Sequence, residues 1–159
     1  MATVKLNQSE HARQFGNNPW GNVTSLLFTL RTDATGAAIN SDSTDPVDIA
    51  DVVDLGPLPE GLRLEDASIF VTTAMTGSVT GSLGFKYEDG EDSTEVPQDA
   101  AYFGSGLSLA ATARVRATGA GKLVTLPKPA RLILTTAGAK NVKASEVKVL
   151  VQGELTGPR

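Results

Sequence analysis

The sequence predicts an all-β protein, a β-sandwich of jelly-roll type with about eight strands and an extended N-terminal arm. Short segments rich in Val, Ile, Leu and Thr alternate apolar and polar residues, and turns rich in Gly, Pro and Asp separate them. No segment combines helical periodicity with the length of an ordinary helix. The strand faces fall into two classes, as expected when two sheets pack together.

Length and composition restrict the function classes. The 159 residues indicate one domain, which we divide into an arm at 1–21 and a sandwich domain at 22–159. The absence of cysteine excludes disulfides, thiolate catalysis and a Cys-based zinc site. No apolar run approaches the ~18–20 residues that span a bilayer, and the N-terminus lacks a signal-peptide pattern. We therefore expect a soluble protein with no membrane partner.

Charge is distributed unevenly along the chain. Residues 1–31 carry three bases and one acid (+2), residues 32–99 carry two bases and 15 acids (−13), and residues 100–159 carry nine bases and two acids (+7), giving −4 in total. This pattern favours either a partner-binding or self-associating surface, or antiparallel pairing that brings the two halves together and cancels their fields.

The N-terminal arm, residues 1–21, shows no sustained strand or helix period, yet it contains Phe15 and the only tryptophan, Trp20. Disordered tails are usually poor in aromatic residues. We interpret Phe15 and Trp20 as apolar anchors that contact a neighbouring chain. The alternative is a frayed terminus in which Trp20 covers the edge of the core.

The segment from Asp45 to Thr73 is the centre of the predicted fold, because it contains two strand-like stretches on either side of a corner. The corner at 56–61 contains two prolines and two glycines. Proline lacks a backbone donor and fixes φ, so we expect two strands joined by a stiff elbow, with no continuous ladder of β-sheet hydrogen bonds across it. Leu58, between two prolines, is either an exposed adhesive tip or a plug at one end of the sandwich.

The segment before this corner, residues 45–55, is ambiguous. Asp45-Pro46 fits a helix start and Gly56 a helix stop, but alternating β-branched residues favour a strand. In that register Asp48 and Asp54 point outward. Asp51 falls on the apolar face, where it needs a partner or a strand irregularity.

The remaining strands follow from period-two alternation. The clearest is the run in which Val79, Gly81, Leu83, Phe85 and Tyr87 share one face. A strand at 22–31 precedes a long polar loop at 32–45. Further strands are predicted at 67–73, 107–115, 122–126, 130–136 and 147–152.

The sequence contains no recognisable catalytic motif, so we expect neither an enzymatic activity nor a cofactor. The single histidine, His11, lies in the arm, and no nucleophile elbow or phosphate loop is present. The acidic loop at 88–95 and the aspartates from 42 to 54 offer oxygen ligands, but neither fits a calcium loop, so we expect no metal. Basic residues are not interleaved with aromatics, which argues against a nucleic-acid partner.

The stretch Asp51-Val-Val-Asp-Leu-Gly-Pro-Leu-Pro-Glu-Gly-Leu-Arg-Leu64 resembles a pattern in structural proteins of tailed bacteriophages. Gly-Ser-Leu-Gly-Phe-Lys-Tyr at 81–87 and Ala-Ser-Glu-Val-Lys-Val-Leu-Val at 144–151 are similar too. The resemblance is to capsid cement, or decoration, proteins, often β-sandwiches that sit on the shell across capsomer junctions and resist the pressure of packaged DNA.

This resemblance implies a protein made in the host cytoplasm that binds the outer capsid surface and stabilises the shell without chemistry. Its implied partners are the major capsid protein and further copies of itself, as a dimer or trimer. A glycan- or receptor-binding virion module and a tail or neck structural protein are the alternatives. The shortage of aromatic residues argues against glycan binding.

Overall fold

The computed structural model describes residues 1–6, 23–119 and 122–156, which form strands and loops and contain no helix. No helix in this part of the chain is long and apolar enough to cross a membrane. The strands are β1 (Thr3–Lys5), β2 (Val23–Thr32), β3 (Val52–Leu58), β4 (Leu62–Thr73), β5 (Thr80–Tyr87), β6 (Asp99–Ser108), β7 (Ala113–Arg116), β8 (Val124–Thr125), β9 (Ala130–Ala137) and β10 (Ser145–Leu155).

These strands form a β-sandwich, which confirms the predicted fold class. The first sheet has the order β1-β3-β9-β5-β6, and the second has the order β2-β10-β4-β7 with β8 also paired to β4. The pair β1–β3 is parallel, and the other pairs named here are antiparallel. The described residues thus contain ten strands rather than the eight expected.

The core lies between the sheets and is built from the alternating positions that the sequence indicates. In β2, Leu26, Phe28 and Leu30 are buried, while the residues between them are exposed or partly so. β5 and β10 follow the same rule. Burial of one face per strand supplies the main drive for stacking the sheets, because removing apolar surface from water is worth roughly 25 cal/mol per Å².

The corner after β3 carries the chain from the first sheet to the second. The turn itself is short, Pro59–Gly61, and Gly61 has a φ of 76° that suits glycine. The expected break in the ladder at 56 was wrong, because Gly56, Pro57 and Leu58 all pair with β9. A register shift between Asp54 and Gly56 accommodates them.

Residues 45–51 form an irregular segment with a bridge from Pro46 to Ala37 and a turn at Ile49 and Ala50, rather than the favoured strand, which starts at Val52. The side chain of Asp51 explains the difference. Its Oδ2 accepts the amide hydrogen of Asp48 at 2.9 Å, and its Oδ1 accepts that of Ala2 at 2.8 Å. Ala50 adopts a φ of 65° inside this turn. A carboxylate that bonds the nearby backbone competes with extended structure.

The single strand expected at 107–115 is two strands in different sheets. β6 ends at Ser108, and β7 begins at Ala113 in the second sheet. Most of β6 was not predicted. Gly104 and Gly106 have positive φ angles and its pairing with β5 is irregular, so the period of two is lost.

The arm expected at 1–21 is described only in its first six residues. These include β1, which pairs with β3, and two buried side chains, Val4 in β1 and Leu6 just after it. The sandwich therefore takes in residues 1–6. Residues 7–22 lie outside the described part of the chain.

Candidate functional site

Of the three predicted interaction residues, the structure places only Leu58. Its side chain is 1% exposed at the end of β3 and belongs to the apolar core. The hypothesis of an exposed tip was therefore wrong, and Leu58 plugs the end of the sandwich. Phe15 and Trp20 lie outside the described residues, so their role stays a prediction.

The aspartates singled out in the sequence serve the fold. Asp48 is half-buried and pairs with Lys140 at 3.3 Å. Asp51 is buried and receives two backbone hydrogen bonds. Asp54, expected to point into water, is buried and pairs with Arg131 in β9.

Among the described residues, no three acidic or histidine side chains converge in an arrangement that could hold a metal ion. His11 lies outside these residues. The carboxylates at 42, 48, 51 and 54 each hold a named backbone or cationic partner instead.

A groove of about 520 Å³ opens along one side of the sandwich. One wall is the end of the β5–β6 loop together with the start of β6, at the edge of the first sheet. The other wall is residues 122–125, including β8, which pairs with β4 of the second sheet. The groove thus lies where the edges of the two sheets face each other.

The floor of this groove is aromatic. Phe85 lies edge to face with Tyr102 at 5.6 Å between ring centroids, and Tyr102 stands edge to face with Phe103 at 4.9 Å. The Tyr102 hydroxyl donates to the carbonyl of Lys122 at 2.7 Å and so ties the two walls together. Burial raises the pKa of Tyr102, which keeps its hydroxyl protonated as a donor.

The lip of the groove carries an unusual apolar side chain. Leu123 is 61% exposed beside the charged Lys122. An exposed leucine alone needs no explanation, but this one borders a concave surface with an aromatic floor.

The opposite wall is acidic and held in place. Residues 88–99, which lead into it, contain six acids and no base, and two of these acids, Glu95 and Asp99, line the groove. Lys128 bridges the loop, with its Nζ 2.7 Å from Asp89 and 2.6 Å from the carbonyl of Glu91. Asp92 Oδ1 accepts the amide hydrogens of Ser93 and Gln98 at 2.8 and 2.7 Å. These hydrogen bonds fix the conformation of the loop.

Part of the charge asymmetry of the sequence is neutralised within the fold. Among the described residues, five ion pairs join an acid of 32–99 to a base of 100–159: Asp48–Lys140, Asp54–Arg131, Asp66–Arg116, Glu88–Arg131 and Asp89–Lys128. The alternative in which antiparallel pairing brings the halves together is therefore supported. The acidic wall at 88–99 keeps an excess of negative charge.

The sequence interpretation missed this groove. Its parts come from the β5–β6 loop, β6 and the β8 region, which are distant in the chain, and most of β6 was not predicted. The available signals were the acidic loop at 88–95 and, separately, the isolated leucine at 123. Those signals give no hint of the aromatic floor.

No protein-family model matches the sequence, and no curated protein matches it. Solved structures do match the fold. A chain from the structure described as the capsid of Ralstonia phage GP4 aligns with a TM-score of 0.66 and 15% identity, covering 99% of this chain and 99% of that one. This chain shares its fold with chains of phage capsid structures.

Two further structures extend the likeness. A chain of the cyanophage Pam1 capsid asymmetric unit has a TM-score of 0.57 at 16% identity, over 88% of this chain and 89% of that one. A chain of the acid-stable capsid of the Helicobacter pylori bacteriophage KHP30 has a TM-score of 0.50 at 16% identity, over 86% and 94%. The coverage shows that the likeness extends over most of each chain.

Proposed function

We propose that this protein is a virion structural protein that binds the outer surface of a phage capsid and stabilises the shell without catalysing a reaction. The observation that carries the proposal is the end-to-end correspondence with a chain of the Ralstonia phage GP4 capsid, 99% of each chain. The sequence resemblance to cement proteins points to the same role.

The physical properties of the chain suit a cement role. The core runs through both sheets and includes strand β1, so the sandwich can bear load as a unit. Many copies repeated by the symmetry of a shell add their weak contacts through multivalency, provided that geometry allows all copies to engage. Such a protein needs adhesive surfaces but no reaction centre.

Its partners in this proposal are the major capsid protein and a second or third copy of itself. Phe15 and Trp20 contact a neighbouring chain, because aromatic side chains are favoured anchors at protein interfaces. No nucleic acid, membrane or cofactor takes part.

Protein abundance in purified particles tests the proposal. Quantitative mass spectrometry with labelled reference peptides should find this chain at a copy number close to that of the major capsid protein. A tail or neck protein would be far scarcer, and that result would reject a cement role. Particles that lack the protein should also lose DNA at lower temperature than complete particles.

The anchor residues are tested by substitution rather than by truncation, because deleting residues 1–21 would also remove β1. The double variant Phe15→Ser, Trp20→Ser should fold with an unchanged denaturation midpoint and bind shells at least about tenfold more weakly. Unchanged shell binding by this variant would show that the arm does not contribute to the interface with the shell.

The glycan-binding alternative gains little from the groove. Phe85 is buried, and the hydroxyl of Tyr102 is used by Lys122. The ring of Phe85 therefore offers no exposed face to a sugar, and the hydroxyl of Tyr102 already holds a protein partner.

A further inference from the structure

We propose that the groove between residues 95–99 and 122–125 binds an extended segment of a neighbouring shell subunit that alternates basic and aliphatic side chains. The chemistry of the segment follows from the groove itself. Its assignment to a shell subunit rests on the function proposed above.

The shape of the groove favours an extended chain. It runs beside β6, the edge strand of the first sheet, and beside the short strand β8 of the second. An edge strand presents main-chain groups to an incoming strand, and strand addition at such an edge is a recurrent way to bind peptides. The volume of about 520 Å³ accommodates several side chains.

The apolar lining selects aliphatic side chains at every second position. Leu123 is exposed at the lip, and Val96 and Val124 are partly buried in the walls. Side chains of an extended segment alternate in direction, so residues i and i+2 would cover these three together. Covering them would remove exposed apolar surface from water.

Charge selects the intervening side chains. The wall at 95–99 carries two acids, Glu95 and Asp99, and the facing stretch 122–125 carries one base, Lys122. Asp99 is exposed at the groove, and its Oδ1 accepts the amide hydrogen of Ala101. Lys or Arg on the incoming segment complements this wall, and an acidic segment is repelled.

The first experiment uses a probe peptide and does not depend on shells. A fluorescent peptide of alternating Lys and Val, seven residues long, is titrated against the full chain, with an alternating Glu and Val peptide as comparator. We expect saturable binding of the basic peptide, weakened by added salt, and amide NMR shift changes in residues 95–102 and 122–125. Equal binding of both peptides, or shifts elsewhere, would overturn the proposal.

Two matched variants locate the site. Leu123→Lys places a positive charge at the lip, and Val142→Lys makes the same change at a side chain that is 56% exposed in the β9–β10 loop, at the other end of the sandwich. We expect Leu123→Lys to weaken the basic peptide at least about tenfold and Val142→Lys less than about twofold. Both should keep the wild-type denaturation midpoint.

A third variant isolates charge. Asp99→Asn keeps an oxygen that can accept the Ala101 amide hydrogen, a bond of 2.8 Å, but removes the negative charge. We expect binding of the Lys-Val peptide to weaken about two- to fourfold and to depend less on salt. An unchanged salt dependence would remove Asp99 from the site.

Shell binding then separates this proposal from the proposed function. If wild-type protein binds shells and Leu123→Lys does not, the result supports both the cement role and the groove as the shell contact. If Leu123→Lys binds shells as well as wild type does, the groove is not the shell contact and the cement role survives. If wild type binds no shell, the cement role fails and the peptide titration still tests the groove. Loss of self-association in Leu123→Lys, with shell binding intact, would assign the groove to a second copy and overturn the proposal.

Discussion

The Nε of Arg131 lies 3.0 Å from each carboxylate oxygen of Asp54, and this pair joins β9 to β3. The Asp54 side chain is 3% exposed and that of Arg131 21%. A buried carboxylate is costly unless a cation and hydrogen bonds compensate for its lost hydration. The position of Arg131 therefore allows an aspartate in a strand that would otherwise be apolar.

Removal of the cation from this pair should strongly lower the stability of the fold. We expect Arg131→Met to lower the free energy of unfolding by about 3–5 kcal/mol, because Asp54 stays buried without its partner. Urea denaturation at neutral pH measures the change. The matched control is Arg116→Met, whose partner is Asp66 and whose side chain is 68% exposed, so its loss should cost less than about 1 kcal/mol. Equal losses in the two variants would contradict the assigned role of Asp54–Arg131.

Gly56 gives a second prediction, based on a close approach between the sheets. Its φ is 153°, and a Cβ there would meet ring carbons of Phe28 at 2.7 and 2.9 Å. We expect Gly56→Ala to lower the free energy of unfolding by about 1–3 kcal/mol through overpacking. Gly77→Ala, where no atom lies within 4 Å of the added carbon, should change it by less than about 1 kcal/mol.

A double-variant cycle tests the stated cause of the Gly56 effect. Phe28→Leu removes the ring that the new methyl group would strike. If the clash is the cause, Gly56→Ala should cost less in the Phe28→Leu background than in wild type. Strictly additive losses in the cycle would mean that the backbone alone disfavours alanine.

Asn141 gives a third prediction, because its side chain connects the β9–β10 loop to the β4–β5 loop and to the end of β2, at the end of the sandwich opposite the corner. Its Oδ1 accepts from the amide of Thr76 at 3.1 Å, and its Nδ2 donates to Thr32 Oγ1 and to the carbonyl of Lys143, both at 3.0 Å. We expect Asn141→Ala to cost about 2–4 kcal/mol, because a fully buried side chain and the three hydrogen bonds that it makes are lost together. Hydrogen exchange should show faster opening at Thr76. An unchanged exchange rate there would remove Asn141 from this role.

Glu146 gives a prediction about pH. The hydroxyl of Thr72 donates to its Oε2 at 2.6 Å and Arg31 to its Oε1 at 2.7 Å, and these bonds lower the pKa of Glu146 below its ordinary value of 4.5. A carboxyl whose pKa is lower in the folded state stabilises the fold above its unfolded pKa. That contribution is lost as the pH falls from about 4.5 through the folded pKa.

Carbon NMR of the Glu146 carboxyl measures this pKa directly. We expect a value below 4.5 in wild type and an upward change in Thr72→Val, because the hydroxyl is the largest cause of the shift. The urea midpoint of Glu146→Gln should fall less between pH 5 and pH 3 than that of wild type, within the window set by the carboxylate pKa values. A wild-type pKa at or above 4.5 would contradict the hydrogen-bonding pattern.

Strands with regular alternation were predictable, and strands with glycine irregularities were not. In β5, one face carries Leu83, Phe85 and Tyr87, and all three are buried. In β6, the positive φ angles of Gly104 and Gly106 shift the register, so no pattern of period two identifies the strand. Leu107 and Val115 look like one strand in sequence but belong to different sheets.

The aspartates illustrate the same limit. The sequence indicated correctly that Asp51 needs a partner, because a carboxylate on an apolar face cannot stay unpaired. It gave the wrong surroundings for Asp54, because the partner Arg131 is 77 residues away and its approach depends on how β3 pairs with β9.

The sequence by itself determined the fold class, the buried faces of the regular strands and the lack of a catalytic motif, because these depend on residues near one another in the chain. Tertiary structure decided that Leu58 is a core plug, that the corner joins two sheets and that an aromatic groove with an acidic wall opens between their edges. Each of these depends on which distant strands become neighbours, and hydrogen-bond pairing and packing across the whole molecule determine that choice.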